Sequence, residues 1–169
     1  MQRIVIVGSP GGGKSTLARA LGAKLGLPVH HLDALFWRPG WVEAARTEFD
    51  QAQADAVRGE RWIIDGNYGR TYALRMARAD TIVWVDLARG QCLWRTLRRW
   101  GQWRGRVRPD MGERCPERLP DLGFLRFIWN FRRETEPKLR AAIAEHGGHA
   151  ALVRVRSDVE MAAFVDGAR

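Results

Sequence analysis

The sequence predicts a three-layer α/β/α fold, a five-stranded parallel sheet with helices on both faces and an arginine-rich insertion late in the chain. Three observations carry that expectation. Apolar, β-branched runs alternate with helix-period segments five times, the chain order that produces a parallel sheet covered by helices. The first run passes through a glycine-rich turn directly into a helix. Basic charge is concentrated in one stretch: residues 89–140 hold 14 Arg and Lys against 6 Asp and Glu, and the rest of the chain holds 14 against 13, so nearly all of the net charge of +9 sits there. At 169 residues the length suits one domain with a real core, residues 1–169, with residues 101–121 as a lid segment within it.

Composition narrows the class. Hydrophobic residues make up 46% of the chain, as in a globular protein. No apolar run approaches the roughly 20 residues that span a bilayer, so no membrane partner is expected. The chain enters its first strand at once, so no secretion signal is expected. Cys92 and Cys115 are far apart, with no C-x-x-C or Cys/His cluster, and read as free thiols of a cytoplasmic protein.

Residues 4–7, Ile-Val-Ile-Val, read as the first buried strand. The turn that follows, Gly8-Ser9-Pro10-Gly11-Gly12-Gly13-Lys14-Ser15-Thr16, fills every fixed position of G-x-x-x-x-G-K-[ST]. Leu17, Leu21 and Leu25 then mark one face of a helix. Glycines let successive amides point into one concavity, and the helix N-terminus adds partial positive charge, so the loop suits a polyphosphate. Gly8, Gly11, Gly12, Gly13, Lys14, Ser15 and Thr16 are expected to hold the ATP phosphates, with Lys14 reaching the β- and γ-phosphates and the Ser15 hydroxyl on Mg²⁺.

Residues 27–33 read as a second strand ending at Asp33. At the carboxyl end of a parallel strand, Asp33 would face the ligand crevice. It could orient Mg²⁺ through water, activate an attacking hydroxyl, or be a plain solvated turn residue. His30 and His31 are adjacent, point to opposite faces of a strand and read as packing. The aromatic run 35–41, broken by Pro39-Gly40, reads as a lid wall or an apolar tether. A helix is expected over 42–58.

Trp62-Ile63-Ile64 is a third strand, with Asp65 at its end before Gly66. A carboxylate in that position beside a phosphate loop can hold the metal or its waters, although Asp-Gly is also a common turn. Gly66, Asn67, Tyr68 and Arg70 are then placed to touch an acceptor. A short helix is expected over 72–79 and a fourth strand over 81–87, with Asp86 capping the next helix. That helix begins near Arg89; Leu93, Leu97 and Trp100 form its apolar stripe. Arg95 and Arg98 lie off the stripe, as nucleotide contact and catalytic cation respectively.

Residues 101–121 are rich in Gly, Pro and Arg and too long for an ordinary connection, so a functional lid or a disordered loop is expected. Arginines on such a flap can close over a reacting phosphate and exclude water. A long helix follows over 124–145, kinked at Pro137. It carries Arg132 and Arg133 where cations could meet phosphate chains, Arg132 in a catalytic and Arg133 in an acceptor-binding role. A last strand over 150–157 and a helix over 158–165 close the chain.

The loop G-S-P-G-G-G-K-S-T, H-L-D-A-L-F-W at 31–37, I-D-G-N-Y at 64–68 and W-N-F-R-R at 129–133 together resemble the nucleoside-monophosphate kinase and shikimate kinase-like branch of P-loop proteins. More narrowly, the chain resembles the small adenylate kinase-related or DNA topology modulation (FlaR-like) proteins. The resemblance implies ATP at the loop, a mobile lid, an acceptor between Asp33, Gly66 and the lid arginines, and Arg154 to Ser157 near the adenine, with Arg156 as the nucleotide contact. Gly66-Asn67-Tyr68-Gly69-Arg70 stands where monophosphate kinases carry Gly-x-Pro-Arg, which leaves the acceptor open. The expected activity is a Mg²⁺-ATP-dependent phosphotransferase acting on a nucleotide or small hydroxylated metabolite. The alternative is a nucleotide-dependent nucleic-acid binder, in which tryptophans beside arginines stack on single-stranded bases.

Overall fold

A computed structural model describes all residues, Met1–Arg169. Its centre is a five-stranded sheet built from β1 (Arg3–Gly8), β2 (Val29–His31), β5 (Trp62–Asp65), β6 (Thr81–Val85) and β7 (Ala151–Val155). The strand order is β2-β5-β1-β6-β7, and every pairing is parallel. The first strand therefore lies in the middle, and the phosphate-loop motif emerges at the centre of the sheet's carboxyl edge. That edge is where ligands of open α/β sheets bind.

Alternation along β1 explains the two covered faces. Val5 and Val7 point one way, into a core with Trp62, Ile64, Phe49, Tyr72, Met76 and Leu139. Ile4 and Ile6 point the other way, into a core with Ile63, Val83, Leu17, Leu21 and Ile128. Helices α3 (Arg46–Arg58), α4 (Tyr72–Met76) and α7 (Glu136–His146) supply the first layer; α1 (Lys14–Leu25), α6 (Leu122–Glu134) and α8 (Asp158–Gly167) supply the second. The central strands β1, β5 and β6 are buried on both faces, which is why they read as near-continuous hydrophobic runs.

Several boundaries differ from the sequence expectation. The second strand is only three residues long, because its partner β5 ends opposite it: Val29 pairs with Ile63, His30 with Ile64 and His31 with Asp65. The chain then turns into a short helix, α2 (Leu32–Phe36), so Asp33 lies in a helical first turn and not at a strand end. Leu32 is fully buried there. The aromatic run forms a small hairpin, β3 (Trp37–Arg38) with β4 (Val42–Glu43), around Gly40 and Trp41, both at positive φ. Val42 and Glu43 are thus taken by the hairpin, and α3 begins four residues later than expected.

The expected kinked helix is two helices. It breaks at Thr135, and Pro137 falls in the first turn of α7, where its missing N–H costs nothing. Helix α5 (Arg89–Trp103) runs into the expected lid. Asp86 does not cap it, since the cap position is Ala88. Asp86 instead accepts from Arg132 at 3.2 Å and from Arg154 at 2.6 Å, tying α6 to the last strand.

Candidate active site

The phosphate loop is shaped by close approaches that only glycine allows. Gly8 ends β1 at φ +137°, and a Cβ there would stand 2.1 Å from the Val85 carbonyl oxygen. Gly11, at φ +74°, would place one 2.2 Å from the Cys92 carbonyl oxygen. Gly13 leads into α1 in the left-handed region, with no side chain capping the helix. The first-turn amides of this twelve-residue helix thus stay free for an anion. Asn67 braces the loop from β5: its side-chain carbonyl accepts from Gly8 N–H at 3.1 Å, and its amide donates to Gly8 O at 2.9 Å.

Lys14 is half-buried, and its ammonium donates to Ser9 O at 3.0 Å. Burial lowers its pKa from the usual lysine value, against the pull of Asp65 and Asp33. A cation held under that penalty gains when an anion arrives. Beside it, the Ser15 hydroxyl donates to Asp65 Oδ2 at 2.8 Å. These two oxygens are the hard donors that Mg²⁺ takes, and Mg²⁺ is commonly held by one or two protein oxygens plus phosphates and water. No three His, Cys, Asp or Glu side chains converge to cage a metal unaided. The residues therefore fit a metal delivered with a nucleotide.

Asp33 faces the same space. Tyr68 donates its hydroxyl to Asp33 Oδ1 at 2.8 Å, and burial followed by the Asp33 charge pushes the Tyr68 pKa up, so it stays a donor. Tyr68 itself stands at φ +34°. Arg75 holds it there: fully buried, it donates to Gly66 O at 3.0 Å, Asn67 O at 2.6 Å and Tyr68 O at 3.4 Å. Nothing in the sequence around Arg75 sets it apart from an ordinary helix arginine.

These groups line one cleft of about 1200 Å³, walled by the phosphate loop, Asp33, Asp65, Gly66, Asn67, Tyr68, the Trp37–Trp41 hairpin, α5 and the 108–121 segment. Arg95 and Arg98 line it: Arg95 pairs with Asp158 and reaches Gly12 O, and Arg98 stacks on Trp94. Other expected residues lie elsewhere. Arg70 is paired with Asp50 at the surface. Arg132 is drawn to Asp86, away from the cleft. Arg133 is 77% exposed and meets only its neighbour Glu134. Arg156 is exposed beyond β7, and its backbone N–H donates to Glu160.

Residues 104–117 are packed against the body through a cluster of ion pairs. Arg108 is buried and donates to Glu117 at 2.6 Å and Asp110 at 2.7 Å. Glu117 also accepts from Arg99 of α5 at 2.8 Å, and Asp110 meets Arg19 of α1 at 3.5 Å. Glu117 and Asp110 thus pair two of the 14 cations counted over residues 89–140, which keep an excess of basic over acidic residues. Glu117→Gln should weaken the clasp: leaving Arg99 and Arg108 short of a carboxylate in a buried setting should cost about 1–3 kcal/mol. Hydrogen exchange over 104–117 should accelerate while the sheet strands stay protected. Unchanged exchange there would show that the ion pairs do not hold the segment.

The fold and its glycine-framed loop define the class: the chain has the P-loop nucleoside-monophosphate kinase and shikimate kinase-like fold. Shikimate kinase from Acinetobacter baumannii, solved in complex with shikimate, superposes with a TM-score of 0.60 at 15% identity, covering 98% of this chain and 89% of that one. Shikimate kinase from Bacteroides thetaiotaomicron gives 0.55 at 17% identity, over 98% and 94%. A gluconokinase from Sinorhizobium meliloti gives 0.54 at 16%, over 99% and 89%. No protein-family model and no curated protein matches the chain, so the likeness to the FlaR-like subgroup rests on the quoted residues alone. No helix is long and apolar enough to cross a membrane.

Proposed function

We propose that this chain is a Mg²⁺-ATP-dependent phosphotransferase that moves a γ-phosphoryl group to a hydroxyl of a nucleotide or small hydroxylated metabolite. The supporting observation is that Lys14, Ser15, Asp65 and Asp33 line one cleft, large enough for a nucleotide and a second molecule. Fold alone does not fix an activity, so the reading rests on these side chains. The superposed shikimate kinases and gluconokinase agree with it.

In this reading the loop amides and Lys14 hold the β- and γ-phosphates, and Ser15 with Asp65 would hold Mg²⁺. Bound there, the metal would neutralise phosphate charge and fix the phosphate chain's geometry. Asp33, aimed by Tyr68, accepts the acceptor's hydroxyl proton as that oxygen attacks the γ-phosphorus. The bond from the γ-phosphorus to the bridging oxygen breaks, and ADP leaves with the electron pair. Of the cleft's arginines, Arg98 and Arg118 meet no carboxylate; Arg118 donates to Gly40 O at 3.3 Å, and Arg98, which meets only the Trp94 ring, is the candidate for the developing charge. Positioning and charge neutralisation suffice, with no covalent intermediate.

The test is transfer of labelled γ-phosphate to a panel of nucleosides, nucleoside monophosphates, sugars and sugar acids. Product above background hydrolysis is expected for one class; none with any acceptor, by protein that binds ATP, would refute transfer. Asp33→Asn should lower turnover by about 10²-fold and leave ATP affinity unchanged. Equal loss of ATP affinity would place Asp33 in nucleotide binding.

A further inference from the structure

His31 reads in the sequence as packing, yet the parallel register of β2 with β5 sets it directly across from Asp65. Its Nδ1 donates to Asp65 Oδ1 at 2.5 Å, while Asp65 Oδ2 takes the Ser15 hydroxyl at 2.8 Å. Both side chains are largely removed from water, with exposures of 11% and 4%. A carboxylate only accepts, so Nδ1 carries a proton whether the ring is neutral or charged. Each oxygen of Asp65 thus has its own partner, one in β2 and one in the phosphate loop.

We propose that His31 is a positioning residue for the metal site, pinning Asp65 Oδ1 so that Oδ2 alone faces Ser15 and the phosphate loop. The proposal rests on the Mg²⁺-ATP reading of that loop. Mg²⁺ tolerates little departure from octahedral geometry, so a carboxylate beside it must present a defined oxygen. An unpinned carboxylate rotates about its Cβ–Cγ bond and can offer either. A competing partner is Lys14, whose ammonium already feels the Asp65 charge. Freed from His31, Asp65 could turn toward Lys14, weakening the metal site and drawing the lysine from the phosphates. Histidine–carboxylate partners outside a metal's ligand set alter affinity about 10- to 100-fold elsewhere.

The test measures binding of mant-ATP to the intact protein, once during a Mg²⁺ titration and once in EDTA. His31→Leu should raise the Mg²⁺ concentration for half-maximal effect about 10-fold or more and leave affinity in EDTA unchanged. His31→Asn, whose amide nitrogen can stand where Nδ1 stands, should return it close to the wild-type value. An unaltered Mg²⁺ requirement in His31→Leu would overturn the proposal. So would equal loss of affinity with and without Mg²⁺, the mark of a merely structural role. If His31→Leu does not fold, His31→Asn decides: a wild-type requirement supports the pin, and a tenfold rise refutes it. No Mg²⁺-dependent binding by the unmodified chain would overturn this inference and the nucleotide reading together. Normal wild-type behaviour with an unaffected His31→Leu would overturn this one alone.

Discussion

Lys14→Met should lower turnover about 10³-fold or more while leaving the protein folded. Charge that develops on a phosphoryl group in a water-poor site is stabilised far more strongly than in water, and removing one preorganised partner typically costs 10²- to 10³-fold. Here the partner is a full cation, so the upper end is expected. The fold does not depend on it. Its one hydrogen bond within the protein goes to Ser9 O, and burial lowers its pKa. A lysine whose folded pKa lies below its unfolded value costs stability at neutral pH, where the unfolded chain holds the proton more readily. Apo Lys14→Met should therefore melt at or above the wild-type temperature, and its thermal shift with Mg²⁺-ATP should vanish. A variant that melts lower yet keeps the ATP shift would mean that Lys14 serves the loop's structure and not the phosphates.

Arg75→Met should be the most destabilising single change near the site, by about 3 kcal/mol. Replacing a buried ion by an apolar side chain is often harmless when its partner is a carboxylate replaced as well. Arg75 differs: its partners are backbone carbonyls that cannot be removed. Gly66 O and Asn67 O accept from Arg75 and from no other group of the protein, so both would be orphaned in the interior. Burial pulls the Arg75 pKa down to about 10, still well above neutrality, so the guanidinium is charged in the working range. For a chain of this length about 3 kcal/mol corresponds to a fall in Tm of about 6–12 °C. Turnover at low temperature should fall too, because Tyr68 would no longer be held against Asp33. A Tm within about 2 °C of wild type would show that water replaces the guanidinium at those carbonyls.

Sheet and loop were legible for separable reasons. Strands buried on both faces leave unbroken apolar runs, and the phosphate loop has fixed spacing because its glycines answer steric demands such as the Val85 carbonyl beside Gly8. Asp65 was readable because it ends such a run. What stayed hidden depends on partners distant in sequence. His31 meets Asp65 only through its register with β5, and the signal was available: a polar side chain ending a strand beside another strand that ends in Asp. Arg75 is indistinguishable from a surface helix arginine until the loop carbonyls wrap it. Over residues 89–140, counting charge revealed a basic stretch but not that Glu117 and Asp110 pair with Arg99 and Arg108. Arg132 looked free for phosphate because Asp86, 46 residues earlier, is its partner only in the fold.

The most direct measurement is isothermal titration of the folded protein with a non-hydrolysable ATP analogue, with and without Mg²⁺. Saturable binding at one site, strengthened by Mg²⁺ and abolished in Lys14→Met, is expected. No heat of binding at millimolar analogue would contradict a nucleotide role for the glycine loop, and with it the phosphotransferase.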